Sequence, residues 1–387
     1  MPKIVRILNR FNVGGPTYNV AYLTKYISPN YTTVLVGGQK NDNEASSEYI
    51  LQQLNISYTI IPEMRRSIGI WSDIQALRRI IRILKTEKPD IVHTHAAKAG
   101  TLGRIAAWYC GVPYIYHTFH GHVFHSYFNP IITKIFIVIE KFLASRCTAI
   151  VAISELQKHE LGTIFSICSP QKIEIIPLGF DLEKFTQNLD EKRKQFRQTY
   201  SIADNEIAIG IVGRLVPIKN HPLFIEAFSQ CLAKTTKSIR AFIIGDGEIR
   251  AQLEELWNSL EADIHTSKLT FTSWIQDVDV VYAGLDIVCL TSHNEGTPVS
   301  LIEAQAAGKP IVSTNVGGIQ NIVEENKTAL LTTNTVTDFT EKLLQIIEND
   351  ELRETMSAYS QTFSTEKFSY KRLCLDMEGM YEKYMRN

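Results

Sequence analysis

Short β-branched runs alternate with longer amphipathic stretches along almost the whole chain. In the first half the runs lie at residues 4–8, 33–36, 58–61, 91–94, 114–118, 150–153 and 173–176. Several are nearly all apolar, as expected of strands covered on both faces. Between them the apolar positions recur at helical spacing: within 71–85, Ile74, Leu77, Ile81 and Leu84 share one face. This alternation predicts an α/β fold in which a parallel sheet carries helices on both sides. The rhythm stops at Pro177-Leu178-Gly179-Phe180 and a polar stretch through Asn205. It resumes at 207–212, 241–244, 269–272, 287–290, 311–313 and 329–331. The pattern predicts two doubly wound, Rossmann-like domains, at 1–180 and 201–366, joined by a linker at 181–200. A last helix, 367–387, is expected to cross back to the first domain. Ligands of such sheets sit beyond the carboxyl ends of the strands, so the expected site is a central cleft that the two domains face.

Composition narrows the class. A chain of 387 residues with 44% hydrophobic and 21% charged positions is globular and long enough for two domains. Disorder, collagen-like repeats and a coiled-coil rod are excluded, and no repeat of 20–50 residues is present. The net charge of −1 argues against a nucleic-acid partner. Residues 1–190 carry 20 Lys+Arg against 14 Asp+Glu, whereas 191–387 carry 20 against 27. The basic half is suited to an anionic partner. The six cysteines are scattered and form no C-x-x-C, so neither a zinc knuckle nor a disulfide framework is indicated. The amino terminus lacks the apolar core of a signal peptide, and the greasiest stretch, 131–144, is interrupted by Lys134, Glu140 and Lys141. The expected location is a reducing cytoplasm, without a membrane span.

Chemistry concentrates in the turns. The strand at 287–290 runs into Thr291-Ser292-His293-Asn294-Glu295-Gly296-Thr297-Pro298, followed by a helix containing Glu303 and closed by Gly308 and Pro310. At a rise of ~1.5 Å per residue the two carboxylates stand very roughly 8–12 Å apart, too far to act on one bond together. They suit two hydroxyl-bearing groups at either end of a diphosphate, with the helix N-terminus between them. The competing reading is one solvated and one packing glutamate. After the strand 207–212, Gly213-Arg214 and Lys219 occupy a strand-to-helix loop, where a fork-shaped and a point cation fit phosphate. The alternative is a pair of surface cations. Gly14 and Gly15 follow the first strand, either for close approach to a ligand or for a tight turn. No G-x-G-x-x-G or G-x-x-x-x-G-K-[ST] occurs, which disfavours a dinucleotide or P-loop site.

Six of the ten histidines, His93, His95, His117, His120, His122 and His125, fall at the ends of two strands. Hydroxyl recognition or proton handling and ordinary packing are the competing readings; no H-E-x-x-H supports a metal. Asp277-Val278-Asp279 is read as a helix start capped by Asp277 rather than as a metal pair.

Taken in order, Gly14-Gly15, His95, His117-Thr118-Phe119-His120-Gly121, Val212-Gly213-Arg214, Lys219-Asn220, Ile244-Gly245-Asp246-Gly247, Glu295 to Glu303 and Val316-Gly317-Gly318 span nearly the whole chain. The ordered set resembles the retaining GT-B glycosyltransferases of family 4. The stretch from His93 to Gly100, with Thr118 to His122, resembles the branch that builds capsule, exopolysaccharide or O-antigen repeat units. The resemblance implies a nucleotide-diphosphate sugar, with UDP the expected carrier and GDP the next. Arg214 and Lys219 would hold the diphosphate beside Gly213, Glu303 the ribose, and Glu295 the donor sugar. Gly296, Thr297 and Pro298 would line the sugar and phosphate turn, and Trp274-Ile275 the base. Gly14 and Gly15 would approach the phosphate or acceptor. His120 would sit at the sugar near the reacting carbon, with His95 and His122 on the acceptor side. No metal or other cofactor is implied.

The acceptor implied is a polyprenyl-diphosphate-linked sugar, met at the inner face of the plasma membrane. Arg65, Arg66, Arg78, Arg79, Arg82, Lys85 and Lys88 cluster on one amphipathic segment, which reads as a peripheral contact with anionic lipid or as a solvated face. Two other functions fit the same fold: a GT-B-like sugar-nucleotide epimerase or hydrolase, and a non-catalytic two-lobed sugar-nucleotide binder.

Overall fold

In the computed structural model the described residues are all but 13–14, 41–45, 66–68, 122–129, 261–267 and 387. They form two compact units, one of residues 1–180 and 368–387, the other of 181–367.

The first unit runs β1 (Lys3–Leu8), α1 (Gly15–Tyr26), β2 (Thr32–Gly38), α2 (Glu48–Gln53), β3 (Tyr58–Ile61), α3 (Ile70–Glu87), β4 (Ile91–His95), α4 (Ala97–Tyr109), β5 (Tyr114–Phe119), α5 (Pro130–Ser145), β6 (Ala149–Ala152), α6 (Glu155–His159) and β7 (Ile173–Ile175). Its sheet is parallel, in the order β3-β2-β1-β4-β5-β6-β7. Alternation along each strand builds two cores. Val5, Ile7, Val92 and Ile150 pack with Ala76, Ile80 and Ala106 on one side. Ile4, Ile91, Tyr116 and Val151 pack on the other with Leu373, Met377 and Tyr381. Those last three come from the C-terminal segment, which lies in this unit.

The second unit runs α7 (Glu183–Thr186), α8 (Leu189–Thr199), β8 (Ile207–Val212), α9 (His221–Lys234), β9 (Ile239–Ile244), α10 (Arg250–Leu260), β10 (Leu269–Phe271), α11 (Val278–Gly284), β11 (Ile287–Leu290), α12 (Val299–Ala306), β12 (Ile311–Thr314), β13 (Ala329–Thr332), α13 (Val336–Glu348) and α14 (Asp350–Phe368). The last helix of the chain, α15 (Tyr370–Met385), follows and returns to the first unit. The second sheet is also parallel, in the order β10-β9-β8-β11-β12-β13.

Residues 181–200, read from sequence as a linker, form α7 and α8. Phe196 lies so close to α11 that a Cβ on Gly284 would sit 2.2 Å from its ring. Arg193 and Arg197 pair with Asp286 at 2.8 and 3.2 Å. Asp277 does precede α11, but its side chain makes no capping hydrogen bond; Asp279 instead pairs with Lys192 at 2.9 Å. In both sheets the winding reverses beside the central strand, between β1 and β4 and between β8 and β11. A doubly wound sheet opens a ligand crevice at such a reversal.

Candidate active site

At the reversal of the second sheet, the loops after β8 and β11 are laced together. Thr291 Oγ1 donates to the Lys219 carbonyl at 3.0 Å, and the His293 amide to the Ile218 carbonyl at 2.9 Å. Across this seam Lys219 Nζ meets Glu295 Oε1 at 2.5 Å, and Ser292 Oγ donates to the same oxygen at 2.6 Å. Both members of the ion pair are partly exposed. Arg214 is exposed, and its guanidinium has no side-chain partner among the described residues. The loop therefore presents one cation already engaged with a carboxylate and a second one open.

The glycines around this seam serve backbone approach. Gly317, at φ +55°, and Gly318 bring the turn after β12 onto the Glu295 loop; Cβ atoms there would stand 1.9 Å from the Glu295 carbonyl and 1.8 Å from that of Gly296. The Gly318 amide donates to the Glu295 carbonyl at 2.9 Å. Gly245, at φ +139°, and Gly247 do the same for the β8 loop, with Cβ atoms 2.0 and 2.2 Å from the Gly213 and Leu215 carbonyls. Asp246 between them accepts from the Gly247 amide and from Ser273 Oγ, bonds that hold its carboxyl below the ordinary range. The Ser273 bond also places Trp274, exposed, and Ile275, partly buried, beside the β9 loop.

Pro298 is buried and immediately precedes α12, whose leading amides are not capped by a side chain. Gly296 is exposed and a Cβ there would meet nothing. Thr297 is partly buried. Glu303 lies on the second turn of α12, with Tyr282 of α11 and Lys184 of α7 as its electrostatic neighbours. Burial raises its carboxyl to about 7, and the Lys184 ammonium opposes that rise.

The first unit holds a chain of buried polar groups. His93 Nδ1 bonds the Tyr381 hydroxyl at 2.5 Å, and its Nε2 bonds Thr118 Oγ1 at 2.8 Å. Arg6 Nη1 donates to the same Tyr381 hydroxyl at 3.0 Å. His93 stacks on His95 with ring centroids 4.4 Å apart, and His95 Nδ1 bonds His120 Nε2 at 3.1 Å. Burial pushes His93, His95 and His117 well below the ordinary histidine value and His120 to about 4, so each is neutral at pH 7. His117 belongs to the core: it bonds Thr94 at 2.8 Å and packs under Gly100. Gly15 opens α1, where a Cβ would meet Leu178 at an ordinary 3.8 Å. Gly14, His122 and His125 lie outside the described residues. Among the described residues no group of three His, Cys, Asp or Glu side chains could hold a metal ion.

Residues 192–363 match the model of the group 1 glycosyl transferases, and residues 13–184 that of glycosyltransferase family 4. An Escherichia coli UDP-Gal:α-D-GlcNAc-diphosphoundecaprenol α-1,3-galactosyltransferase is 32% identical over 292 residues, covering 75% of this chain and 74% of its own. The chain belongs to the family 4 glycosyltransferases of GT-B fold. The capsular polysaccharide biosynthesis glycosyltransferase CapM of Staphylococcus aureus is 27% identical over 334 residues, covering 84% of this chain and 85% of its own. The fold of this glycosyltransferase is that of the Anabaena protein HepE in complex with UDP, with a TM-score of 0.81 at 19% identity over 98% of this chain and all of the other.

Four contributors escaped the sequence reading. Ser292 is one residue type among many in a polar turn. Lys184 stood in the supposed linker. Arg6 and Tyr381 lie at opposite ends of the chain, and only the charge of Arg6 inside an apolar strand marked it.

Proposed function

We propose that this glycosyltransferase moves a hexose from a UDP-sugar to a polyprenyl-diphosphate-linked sugar, with retention and without a metal, in surface polysaccharide assembly at the inner face of the plasma membrane. The observation that carries the reading is the Lys219–Glu295 pair beside the open guanidinium of Arg214, at the reversal of the second sheet. Lys219, Arg214 and the leading amides of α12 supply positive potential to a diphosphate, and they strengthen as the leaving group gains charge. The two cations there do the work of a divalent ion. Glu295 takes donor-sugar hydroxyls and Glu303 the ribose. Trp274 and Ile275 offer a face to the base. His120, neutral and held by His95, is suited to offering a hydroxyl a hydrogen bond rather than a charge. The E. coli relative, whose name specifies a UDP-galactose donor and a diphosphoundecaprenol-linked acceptor, supports the substrate classes. The HepE likeness supports the fold alone. No helix among the described residues is long and apolar enough to cross a membrane.

The test is nucleotide release from a panel of UDP- and GDP-sugars, with and without undecaprenyl-diphosphate-linked sugar, in the presence of EDTA. Release only with acceptor, undiminished by EDTA, is expected. Lys219→Ala or Arg214→Ala should lower turnover about 100- to 1,000-fold while circular dichroism stays unchanged. Acceptor-independent release or epimerised donor would replace transfer by hydrolysis or epimerisation. Tight donor binding with no bond cleavage would leave a binder.

A further inference from the structure

The buried polar chain of the first unit has a direction. Arg6 is wholly buried, and its Nε and Nη2 are shielded from solvent without a hydrogen-bond partner among the described residues. Its Nη1 donates to the Tyr381 hydroxyl. A guanidinium only donates, so that oxygen accepts from Arg6 and keeps its own proton to give. Its other bond, at 2.5 Å, is to His93 Nδ1, which therefore accepts. His93, neutral, carries its proton on Nε2 and donates it to Thr118 Oγ1 at 2.8 Å. The tautomer of this histidine is thus set from β1 and α15, at opposite ends of the chain.

His95 is also wholly buried, with the rings of His93 and His120 as neighbours at centroid distances of 4.4 and 5.3 Å. Its Nδ1 lies 3.1 Å from His120 Nε2. Both rings are neutral, so one proton lies between those two nitrogens and either ring can be its owner. If His120 donates, His95 Nε2 bears an N–H; if His95 donates, Nε2 is bare. That Nε2 is shielded from solvent and has no partner among the described residues. The Arg6 cation depresses His93 and His95, whereas burial alone depresses His120, so the cation lies on the side of His95 away from His120. A bare nitrogen facing that charge is favoured and an N–H is disfavoured. The stable arrangement is the one in which His95 donates. His120 then carries its proton on Nδ1, which is itself shielded and unpartnered among the described residues.

We infer that His95 is a positioning residue: it donates Nδ1–H to His120 Nε2 and so makes His120 Nδ1 a hydrogen-bond donor, with Arg6 holding His95 in that tautomer. The inference rests on the place of His120 at the donor sugar proposed above. An Nδ1–H meets a substrate oxygen as acceptor, whether hydroxyl or phosphate, and its bond tightens as that oxygen gains negative charge. The opposite tautomer would present a lone pair, which only a hydroxyl proton could meet and which developing negative charge would repel. The unpartnered N–H destabilises the empty site, and a substrate oxygen removes that cost.

The experiment reads the ring protons of the full chain, labelled with nitrogen-15 in histidine, by two-bond proton–nitrogen correlation at pH 7, which separates a protonated ring nitrogen from a bare one. His95→Asn and His120→Gln assign the signals. The wild type is expected to show Nε2–H for His93, and Nδ1–H for His95 and His120. A proton on His120 Nε2 in the wild type overturns the inference, and that reading needs no variant to fold. In Arg6→Met, which keeps the stem and removes the charge, the His95 proton should move towards Nε2; an unchanged His95 spectrum overturns the part given to Arg6. Turnover is the second readout. His95→Asn keeps an amide N–H near the Nδ1 position, whereas His95→Phe keeps the stacking ring and no donor. Were His95 only packing, Phe would serve better than Asn. The expected order is the reverse: with the melting curves of both retained, kcat falls about 10- to 100-fold in His95→Phe and about threefold or less in His95→Asn, and the donor KM stays within about twofold in both. Equal losses, or a greater loss in His95→Asn, overturn the inference. Wild-type turnover in His120→Ala would instead sink the place of His120 at the sugar, and the spectra would still decide the tautomers.

Discussion

Glu303→Gln separates the charge of this side chain from its shape. In the folded chain burial lifts the carboxyl from its ordinary 4.5 to about 7. The native state therefore binds that proton more tightly than the unfolded chain does, a difference of about 3 kcal/mol. Because the folded value is the higher one, this stabilisation is complete below about pH 4.5 and is lost as pH rises through 7. The glutamine variant has no such term. The stability of the variant minus that of the wild type should therefore climb by up to about 3 kcal/mol between pH 4 and pH 8, then level off. For a unit of this size that is about 6–12 °C in melting temperature. Calorimetry resolves it if the transition of residues 181–367 is followed separately, since two units need not melt as one. A constant offset between the two proteins from pH 4 to pH 8 would refute the reasoning, because it would mean that Glu303 titrates alike folded and unfolded. The same change tests the ribose assignment. Wild-type affinity for UDP should rise as the carboxylate forms near pH 7, and the variant should lack that rise.

Two further substitutions probe the supports of the site. Tyr381→Phe removes the hydroxyl shared by Arg6 and His93, leaving Arg6 Nη1 and His93 Nδ1 buried without it while His93 keeps Thr118 through Nε2; the first unit should lose about 2–4 kcal/mol in its calorimetric transition, and an unchanged transition would show that the hydroxyl is not holding them. Gly317→Ala sets a Cβ against the Glu295 carbonyl in a left-handed backbone position; the Glu295 loop must move by more than an ångström, and turnover of the donor should fall about 100-fold with the melting transitions largely kept.

The strands were legible because burial on both faces writes itself as apolar runs. The run expected at 207–212 is β8 residue for residue, and Glu295 and Glu303 fall around the start of α12 where the turn chemistry put them. Helix α8 was missed for the converse reason. Its sequence, LDEKRKQFRQT, commits only Phe196 to an apolar contact and uses Arg193 and Arg197 for the rest, so no hydrophobic period marks it. Gly245, Gly247, Gly317 and Gly318 were visible as glycines, but the carbonyls they accommodate belong to other loops and have no local signature. Histidines 93, 95, 117 and 120 were visible as a cluster; which of them face the core depended on the β4–β5 register, which sets Thr94 opposite His117 and His95 opposite Thr118.

The Lys219–Glu295 contact bears on how donor and site fit together. A lysine reserved for phosphate, left unpaired, would repel Arg214 and attract any anion in solution. Paired with Glu295, it is held in place at little electrostatic cost. A sugar diphosphate offers each partner something better than the other. The phosphate oxygens bring more negative charge to Lys219 than one carboxylate does, and the sugar hydroxyls can donate to Glu295 once the ammonium turns away. Nucleotide alone satisfies only the lysine and leaves Glu295 with Ser292. The complete donor should thus be bound in preference to its own nucleotide by the hydroxyl contacts to Glu295, and Glu295→Gln should erase most of that preference while sparing affinity for the nucleotide. Competition of the nucleotide against the intact donor measures it directly, and an unchanged ratio in the variant would mean that Glu295 serves only to park the lysine.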